Sequence, residues 1–157
     1  MTEHLTRSKC DKNIEKYNKQ TNHIYLQYTS LLPLISLFYF LFKIQNTKQP
    51  NFEYVLAFFL MLVVVFSQLF WSNPIKGSTI HKTDAIIAKI TILTFSLYTF
   101  IYKFKFSYLV VLFAVVISFY LSNYHSNQEW CSDKHLLYHG LLHIFCFIGT
   151  FYAFIQV

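Results

Sequence analysis

The chain has 157 residues, of which 55% are hydrophobic, 20% are aromatic and only 13% are charged. A soluble domain of this length needs more charge to cover its surface, and here the apolar residues come in long blocks. These features exclude an ordinary soluble domain and predict an integral membrane protein. The formal net charge of +6 lies in loops and in the first 23 residues. Beside a bilayer, such charge indicates topology and anionic headgroups rather than a nucleic-acid partner.

Five segments are long and apolar enough to cross a hydrocarbon core, which takes ~20 residues. In chain order they cover about 24–42, 52–71, 83–102, 106–124 and 133 to the end. Pro33 falls inside the first span, where a bilayer helix tolerates it. Only the sequence KFK separates spans three and four, which predicts an antiparallel hairpin. We expect an all-α polytopic membrane bundle of about five transmembrane helices, as one domain over 24–157 that follows a basic tail over 1–23.

The loops divide between two sides of the membrane. Five alternating spans place the tail, the loop 72–82 and the loop 125–134 on one side, which we name face A. The loops around Lys48 and Lys103 lie on the opposite side, face B. Face A carries more Lys and Arg than face B. The positive-inside bias therefore predicts that face A, with the N-terminus, is cytoplasmic.

Polar side chains converge near face A. Ser67 lies about one turn inside the A end of span two, and Asp84 lies in the first turn of span three. The stretch HLLYHGLLHIF carries His135, His139 and His143 in the first three turns of span five. Residues at i and i+4 share a helix face, so His139 and His143 can chelate one metal ion. His135 and His143 are roughly 12 Å apart along the axis, so a further ligand must come from another helix or loop.

Each of these residues also has an ordinary explanation. An i,i+4 pair arises easily by chance among seven histidines. Asp84 suits a helix N-terminus because of the macrodipole, and the Ser67 hydroxyl can bond the preceding turn of its own helix. An imidazole such as that of His135 needs no explanation at headgroup level. The residues alone leave both the metal site and these explanations open.

The segment YHGLLHIFCFIGTFY, residues 138–152, resembles the last helix of the CREST superfamily of membrane hydrolases. This superfamily includes alkaline ceramidases, the progestin and adipoQ receptors and a lipase family that remodels GPI anchors. Its pattern is Ser-x-x-x-His in an early helix, Asp at the start of the next helix and His-x-x-x-His in the last. The resemblance implies that three histidines bind zinc, that the Ser and Asp hold the hydrolytic water, and that the ceramidase branch hydrolyses a lipid amide.

Carried over to the matching positions, the resemblance implies that His139 and His143 bind zinc. It also implies that Asp84 is the catalytic base and that Ser67 assists it. The match covers residues 67–84 and 138–152.

Two features depart from the family pattern. Trp71 stands where the third zinc ligand is expected, and indole offers a donor without a lone pair for a metal. The chain also has five predicted spans where the family usually has seven. His81, in the sequence STIHKTD, is the expected replacement ligand, reaching in from the loop three residues before Asp84.

Three functions remain open from the sequence. The leading hypothesis is a zinc-dependent, ceramidase-like hydrolase of lipid metabolism that acts on a lipid amide or ester drawn from the bilayer. The alternative is a non-catalytic integral membrane protein that retains the fold with a structural His/Asp/Ser cluster. The third is a transporter or proton relay that uses the histidines, which requires polar groups continuing towards face B. The sequence shows few such groups there.

Overall fold

The computed structural model describes residues 22–43 and 50–155, and this part of the chain is helical apart from short turns. Its helices are α1 (Asn22–Thr29), α2 (Pro33–Lys43), α3 (Pro50–Ser72), α4 (Thr79–Tyr102), α5 (Phe106–Gln128) and α6 (Asp133–Phe154). The segment from α1 to α2 is one span, so five segments of the described chain are long and apolar enough to cross a membrane. The predicted all-α polytopic bundle is confirmed. Residues 1–21 of the predicted tail lie outside the described residues.

The outer surface of the bundle is apolar. Large side chains such as Phe42, Phe106 and Phe113 are 84%, 77% and 68% exposed. So much apolar exposure is unfavourable in water, whereas hydrocarbon solvates these side chains without cost. The surface therefore agrees with the five membrane spans.

The first span is interrupted, which the sequence analysis did not predict. The α-helix ends at Thr29, and a turn over residues 30–32 precedes Pro33. Proline has no backbone N–H to donate and suits the first position of a new helix, which is where Pro33 lies. In the turn, tighter i→i+3 bonds form, such as Leu32 N–H to the Thr29 carbonyl at 3.2 Å. The α-helix is therefore interrupted while its backbone remains hydrogen-bonded.

The third span begins earlier than predicted. Gly77 has φ +82°, which reverses the chain before the helix. The Ser78 side chain then caps α4 by accepting the His81 N–H at 3.1 Å. His81 is consequently a first-turn residue of α4 and not a loop residue, so the expected loop position of His81 is wrong. Ser132 caps α6 in the same way by accepting the His135 N–H at 3.3 Å.

The helices pack in two close pairs, α3 with α4 and α5 with α6, and α6 also contacts α1 and α2. α4 and α5 are joined by residues 103–105 and run antiparallel, as predicted. Few backbone contacts join these two helices, however, and their facing sides line a cavity. The two helices of the hairpin meet through side chains instead: the Tyr108 hydroxyl donates to Ser96 Oγ at 3.2 Å, and Lys89 Nζ lies 5.9 Å from the Phe119 ring centroid.

Two apolar clusters close the bundle at its ends. The cluster near face B includes Phe40, Leu56, Phe95 and Phe154. The smaller cluster near face A consists of Leu26, Phe70, Trp71 and Leu136, with Trp130 against it. The cavity lies between the two clusters, within the membrane-spanning part of the chain.

Candidate functional site

Three imidazoles form a ladder along one side of α6. The ring centroids of His135 and His139 are 5.8 Å apart, and those of His139 and His143 are 4.8 Å apart. The i,i+4 spacing on one helix produces this arrangement, as the sequence predicted. His135 is 2% exposed, and its Nδ1 accepts the backbone N–H of Cys131 at 3.3 Å.

Hydroxyl groups from two other helices orient the inner imidazoles. His139 Nδ1 lies 3.0 Å from Oγ of Ser122 on α5. His143 Nδ1 lies 3.0 Å from Oγ1 of Thr29 on α1. The Thr29 hydroxyl donates to the Leu26 carbonyl at 3.3 Å, so its oxygen accepts from the Nδ1–H of His143. In this tautomer, Nε2 of His143 keeps its lone pair for a ligand.

Ser67 lies where the sequence predicted, on α3 near face A. Asp84 lies on α4 near face A, but α4 begins at Thr79, so Asp84 falls in the second turn and its predicted first-turn position is wrong. Both side chains are buried, with exposures of 3% and 8%, and both line the same cavity as His139 and His143. His81 lines this cavity too, so the structure brings all five predicted site residues to one cavity. Their catalytic and metal-binding roles stay predictions.

His81 has its own partners at face A. Its ring stacks on Phe70 with centroids 4.9 Å apart and meets Trp130 edge-on at 5.2 Å. Its Nδ1 accepts the backbone N–H of Gly77 at 3.1 Å. A neutral imidazole that accepts at Nδ1 carries its proton on Nε2. Neither nitrogen of His81 then has a lone pair available for a metal ion.

Trp71 fills the space beside the outer imidazoles. Its ring centroid is 4.9 Å from that of His139 and 6.3 Å from that of His135. The indole is fully buried, and its Nε1 has no hydrogen-bond partner among the described residues. An indole N–H cannot coordinate a metal. Trp71 therefore takes up room against the ladder without supplying a ligand.

A catalytic zinc site requires three protein ligands. His139 and His143 provide two imidazoles at a suitable spacing. Within residues 22–43 and 50–155, no group of three His, Cys, Asp or Glu side chains is placed to hold a metal ion. In this arrangement His139 and His143 remain two candidate ligands without a third beside them among the described residues, and zinc binding stays a prediction.

The cavity has a volume of about 160 Å³ and has two chemically different ends. Ser67, Asp84, His139 and His143 line its A end. The remainder is mostly apolar, with lining residues that include Leu60, Val63, Ile92, Leu112, Val115 and Phe119. Ile92 and Leu112, on α4 and α5, line this part of the cavity and are partly exposed.

A lysine fastens the α3–α4 loop to α5 at face A. Lys76 donates to the Ser126 carbonyl at 2.6 Å and lies 5.5 Å from the Trp130 ring centroid. This contact ties the α3–α4 loop to the end of α5, where a cation also suits the helix dipole. Partial burial lowers the pKa of the Lys76 ammonium from its ordinary value.

Sequence reasoning missed a second polar cluster, at face B. The Glu53 carboxylate is fully buried, binds Lys103 Nζ at 2.7 Å and accepts the Tyr98 hydroxyl at 2.5 Å. Lys103 also donates to the Ala153 carbonyl at 2.7 Å. The statement that face B has few polar groups is therefore wrong. The available signal was a single acidic residue in an otherwise apolar span, which is a functional candidate by default.

Comparisons of this chain with protein-family models, with curated proteins and with solved structures find no match. The resemblance to the CREST superfamily thus remains a hypothesis that depends on the short motifs around Ser67, Asp84 and the histidines of α6.

Proposed function

We propose that this membrane protein binds a lipid amide or ester in its intramembrane cavity. The observation that carries the proposal is the division of one cavity into a polar A end and an apolar remainder. Ligand sites are typically concave and mostly apolar, with a few polar groups that fix orientation. An amphiphile with a hydrogen-bonding head and a hydrocarbon chain matches this division.

The polar end supports recognition of an amide or ester group. Nε2 of His143 accepts a hydrogen bond, the Asp84 carboxylate accepts in its ionised form, and the Ser67 hydroxyl both donates and accepts. An amide N–H or a hydroxyl near the ester would bind the acceptors, and a carbonyl would bind the serine. The lipid would enter from the bilayer between α4 and α5, whose backbones make few contacts with each other.

The apolar part supports recognition of a hydrocarbon chain. From Asp84 to Ser96, the cavity-lining side of α4 extends over 12 residues, which is ~18 Å of helix. The chain of a lipid held at Asp84 would run towards face B, between α4 and α5. Dispersion contacts with the aliphatic lining would hold it there.

Hydrolysis of the bound lipid is the second candidate function. One observation favours it: a carboxylate and two oriented imidazoles line the same end of the cavity. Such a set suits general acid–base chemistry at a carbonyl. Trp71 and the two-ligand donor set favour the non-catalytic alternative, in which the same groups only bind.

Binding can be tested by mass spectrometry of lipids that copurify with the protein in mild detergent. Val115 lines the cavity and is 6% exposed, whereas its neighbour Val116 is 56% exposed on the outer surface. We expect Val115→Trp to fill the cavity and remove the bound lipid, and we expect Val116→Trp to retain it. Equal lipid content in both variants would contradict the proposal.

Catalysis is tested separately with a fluorescent long-chain amide and the corresponding ester. Release of the labelled acid by the wild type and its loss in Asp84→Asn would support the hydrolase. Metal content of the wild type, His143→Ala and His81→Ala proteins decides the zinc prediction. Stoichiometric zinc that is lost in both variants would identify His81 as the third ligand, and its retention in His81→Ala would exclude that role. Lipid binding without turnover or metal would support the non-catalytic alternative.

A further inference from the structure

Lys89 places a charge on the outer, membrane-facing surface of α4. Its side chain is exposed, and it follows the start of α4 at Thr79 by ten residues, which is ~15 Å of helix. Because α4 has 24 residues, Lys89 lies well inside the membrane-spanning segment and not at its end. Charged side chains within such segments are costly, and they usually face the bundle interior and pair there. Lys89 faces outwards instead.

The carboxylates of the described residues leave Lys89 unpaired. In this part of the chain, the ion pair that forms joins Lys103 to Glu53 at the B end of the bundle. Asp84 precedes Lys89 by five residues, which turns the two side chains to different sides of α4. The Asp84 carboxylate is buried and lines the cavity. The charge of Lys89 therefore has no counterion among the described residues.

The ammonium of Lys89 does not reach the headgroups at face A. Its Nζ lies 5.9 Å from the ring centroid of Phe119 on α5. Phe119 is nine residues before the end of α5 at Gln128, so it lies ~13 Å of helix inside face A. Helical side chains lean towards the N-terminus of their helix, and α5 begins at face B, so this ring leans away from face A. Lipid phosphates lie outside the hydrocarbon core, and a ring attracts a cation only weakly. The charge therefore needs an anion at the depth of Phe119.

Apolar side chains extend the exposed surface of α4 on both sides of Lys89. The residues that share this stripe with it are Ile86, Leu93, Leu97 and Phe100, and all four are exposed. Their spacings of three and four residues keep them on one side of the helix. A repeat of this kind is typical of a helix that packs lengthwise against another helix. The stripe therefore forms an apolar seam for one further helix, with a single cation within it.

From this geometry we infer that the seam on α4 docks a transmembrane helix of a partner protein, and that an Asp or Glu near the middle of that helix pairs with Lys89. A carboxylate on a transmembrane helix supplies the missing anion at the required depth. The aliphatic residues of the seam pack against the apolar residues of the same helix. The interaction does not depend on the lipid-binding proposal, because Lys89 lies on the outer surface of the bundle.

A second copy of this chain does not offer the required carboxylate among its described residues. Glu53 and Asp84 lie within the spans, but both are buried inside the bundle. Glu129 and Asp133 are exposed, but they lie at face A, beyond the end of α5 and in the first turn of α6. The acidic residue must therefore come from a different protein.

The test uses synthetic transmembrane peptides and the full chain in phosphatidylcholine vesicles. One peptide has a leucine–alanine span of about 22 residues with a central Glu, and the matched peptide has Gln at that position. Energy transfer from the labelled peptide to the labelled protein measures their association. We expect the wild type to bind the Glu peptide about ten-fold more tightly than the Gln peptide, and we expect Lys89→Met to remove this preference. Lys82 is exposed two turns nearer to face A, so Lys82→Met is the matched control and should retain the preference.

The position of the docked helix is tested by photocrosslinking. A benzoyl-phenylalanine in place of Leu93 lies on the seam. The same group in place of Phe38 lies on the exposed surface of α2, whereas the helix that packs closely on α4 is α3. We expect the Glu peptide to crosslink at position 93 and not at position 38. Equal crosslinking at both positions would overturn the proposal.

The binding measurements also identify other occupants of the seam. Equal binding of the Glu and Gln peptides by the wild type would overturn the proposal. If phosphatidylglycerol added to the vesicles then gathers around the wild type and not around Lys89→Met, the counterion is a lipid headgroup. Self-association of the wild type that is lost in Lys89→Met would assign the seam to a second copy and would overturn the proposal as well. Circular dichroism of Lys89→Met, which keeps the length of the side chain, should show unchanged helix content.

Discussion

The two ends of the bundle both bury ionisable side chains, but the partners that stabilise the buried charges and polar atoms differ between the ends. At the B end, Glu53 is enclosed by an ion pair with Lys103 and a hydrogen bond from Tyr98. At the A end, Asp84 and His143 face a cavity, and the hydroxyl partner of His143 leaves its Nε2 available. The B end therefore balances its charge within the protein, whereas the A end leaves polar atoms facing the cavity.

Because of this difference, we expect the polar groups at the B end to affect the stability of the bundle and those at the A end to affect ligand binding. A buried carboxylate that depends on one ammonium group becomes strongly unfavourable once that partner is removed. A carboxylate that faces a cavity can be neutralised or solvated when its ligand leaves. We therefore expect substitutions at the B end to unfold the bundle and those at the A end to change ligand binding.

The largest effect is expected from Lys103→Met, which leaves Glu53 buried without its counterion. The free energy of unfolding should fall by about 3–5 kcal/mol, measured by denaturant titration in detergent micelles. The double variant Lys103→Met, Glu53→Gln should recover a large part of this loss because no charge remains. Asp84→Asn is the A-end counterpart and should change stability little. A loss from Asp84→Asn as large as that from Lys103→Met would break the comparison.

A smaller effect is expected from Thr29→Val, which leaves Nδ1–H of His143 without an acceptor. An unpaired buried donor should lower stability by about 2 kcal/mol. Thr29→Ser keeps the hydroxyl and should behave as the wild type. Nitrogen NMR of labelled histidine gives the tautomer directly: we expect a proton on Nδ1 of His143 in the wild type and in Thr29→Ser. A proton on Nε2 instead would contradict the availability of this nitrogen.

Two glycines of α6 offer a matched pair for helix packing. A Cβ at Gly140 would lie 3.0 Å from Tyr25 Oη and closer still to the ring, so Tyr25 must move. A Cβ at Gly149 would meet only Val111 Cγ1 at 3.8 Å, an ordinary contact. We expect Gly140→Ala to lower the free energy of unfolding by about 1 kcal/mol. The loss stays this small because the tip of the partly exposed Tyr25 side chain can shift. Gly149→Ala should be neutral or slightly stabilising, and the reverse order would contradict this packing.

The smallest effect is expected from Lys76→Met at face A. The variant loses the bond to the Ser126 carbonyl and the contact with the Trp130 ring. Such a partly exposed cation at a helix C-terminus contributes about 0.5 kcal/mol. The free energy of unfolding should therefore fall by no more than this amount. Hydrogen exchange of the backbone amides in the α3–α4 loop should become faster. An unchanged exchange rate would show that Lys76 does not fasten the loop.

The fold was accessible from the sequence because it depends on long apolar blocks. Each span needs only enough apolar residues to cross the bilayer, and the segments around Leu60 and Val115 provide them without ambiguity. The convergence of Ser67, Asp84 and the α6 histidines near face A followed from alternation of the spans and from the helical period. Both inferences depend only on positions along the chain, because the bilayer fixes the length of each span and the alternation of successive spans.

Other features depend on tertiary contacts that no such rule gives. The position of His81 was missed because the Ser78 cap was not recognised, although a Ser three residues before the His was a visible signal. The Glu53 cluster joins residues about 50 positions apart, so only the packed bundle brings Lys103 to the carboxylate. The cavity between α4 and α5 was missed because a short loop fixes the direction of two helices but not the distance between their backbones.

The contacts of the first span also constrain the order of assembly. Thr29 meets His143, and Ser36 meets Thr150, across a separation of 114 residues in each case. During synthesis the first span enters the membrane long before its partner helix exists. Its polar side chains therefore have no hydrogen-bond partners on α6 until that helix is inserted. The inner imidazole of His143 is oriented by Thr29 only from that point on. A chain truncated before α6 would leave the first span without these partners, and we expect cellular quality control to degrade it.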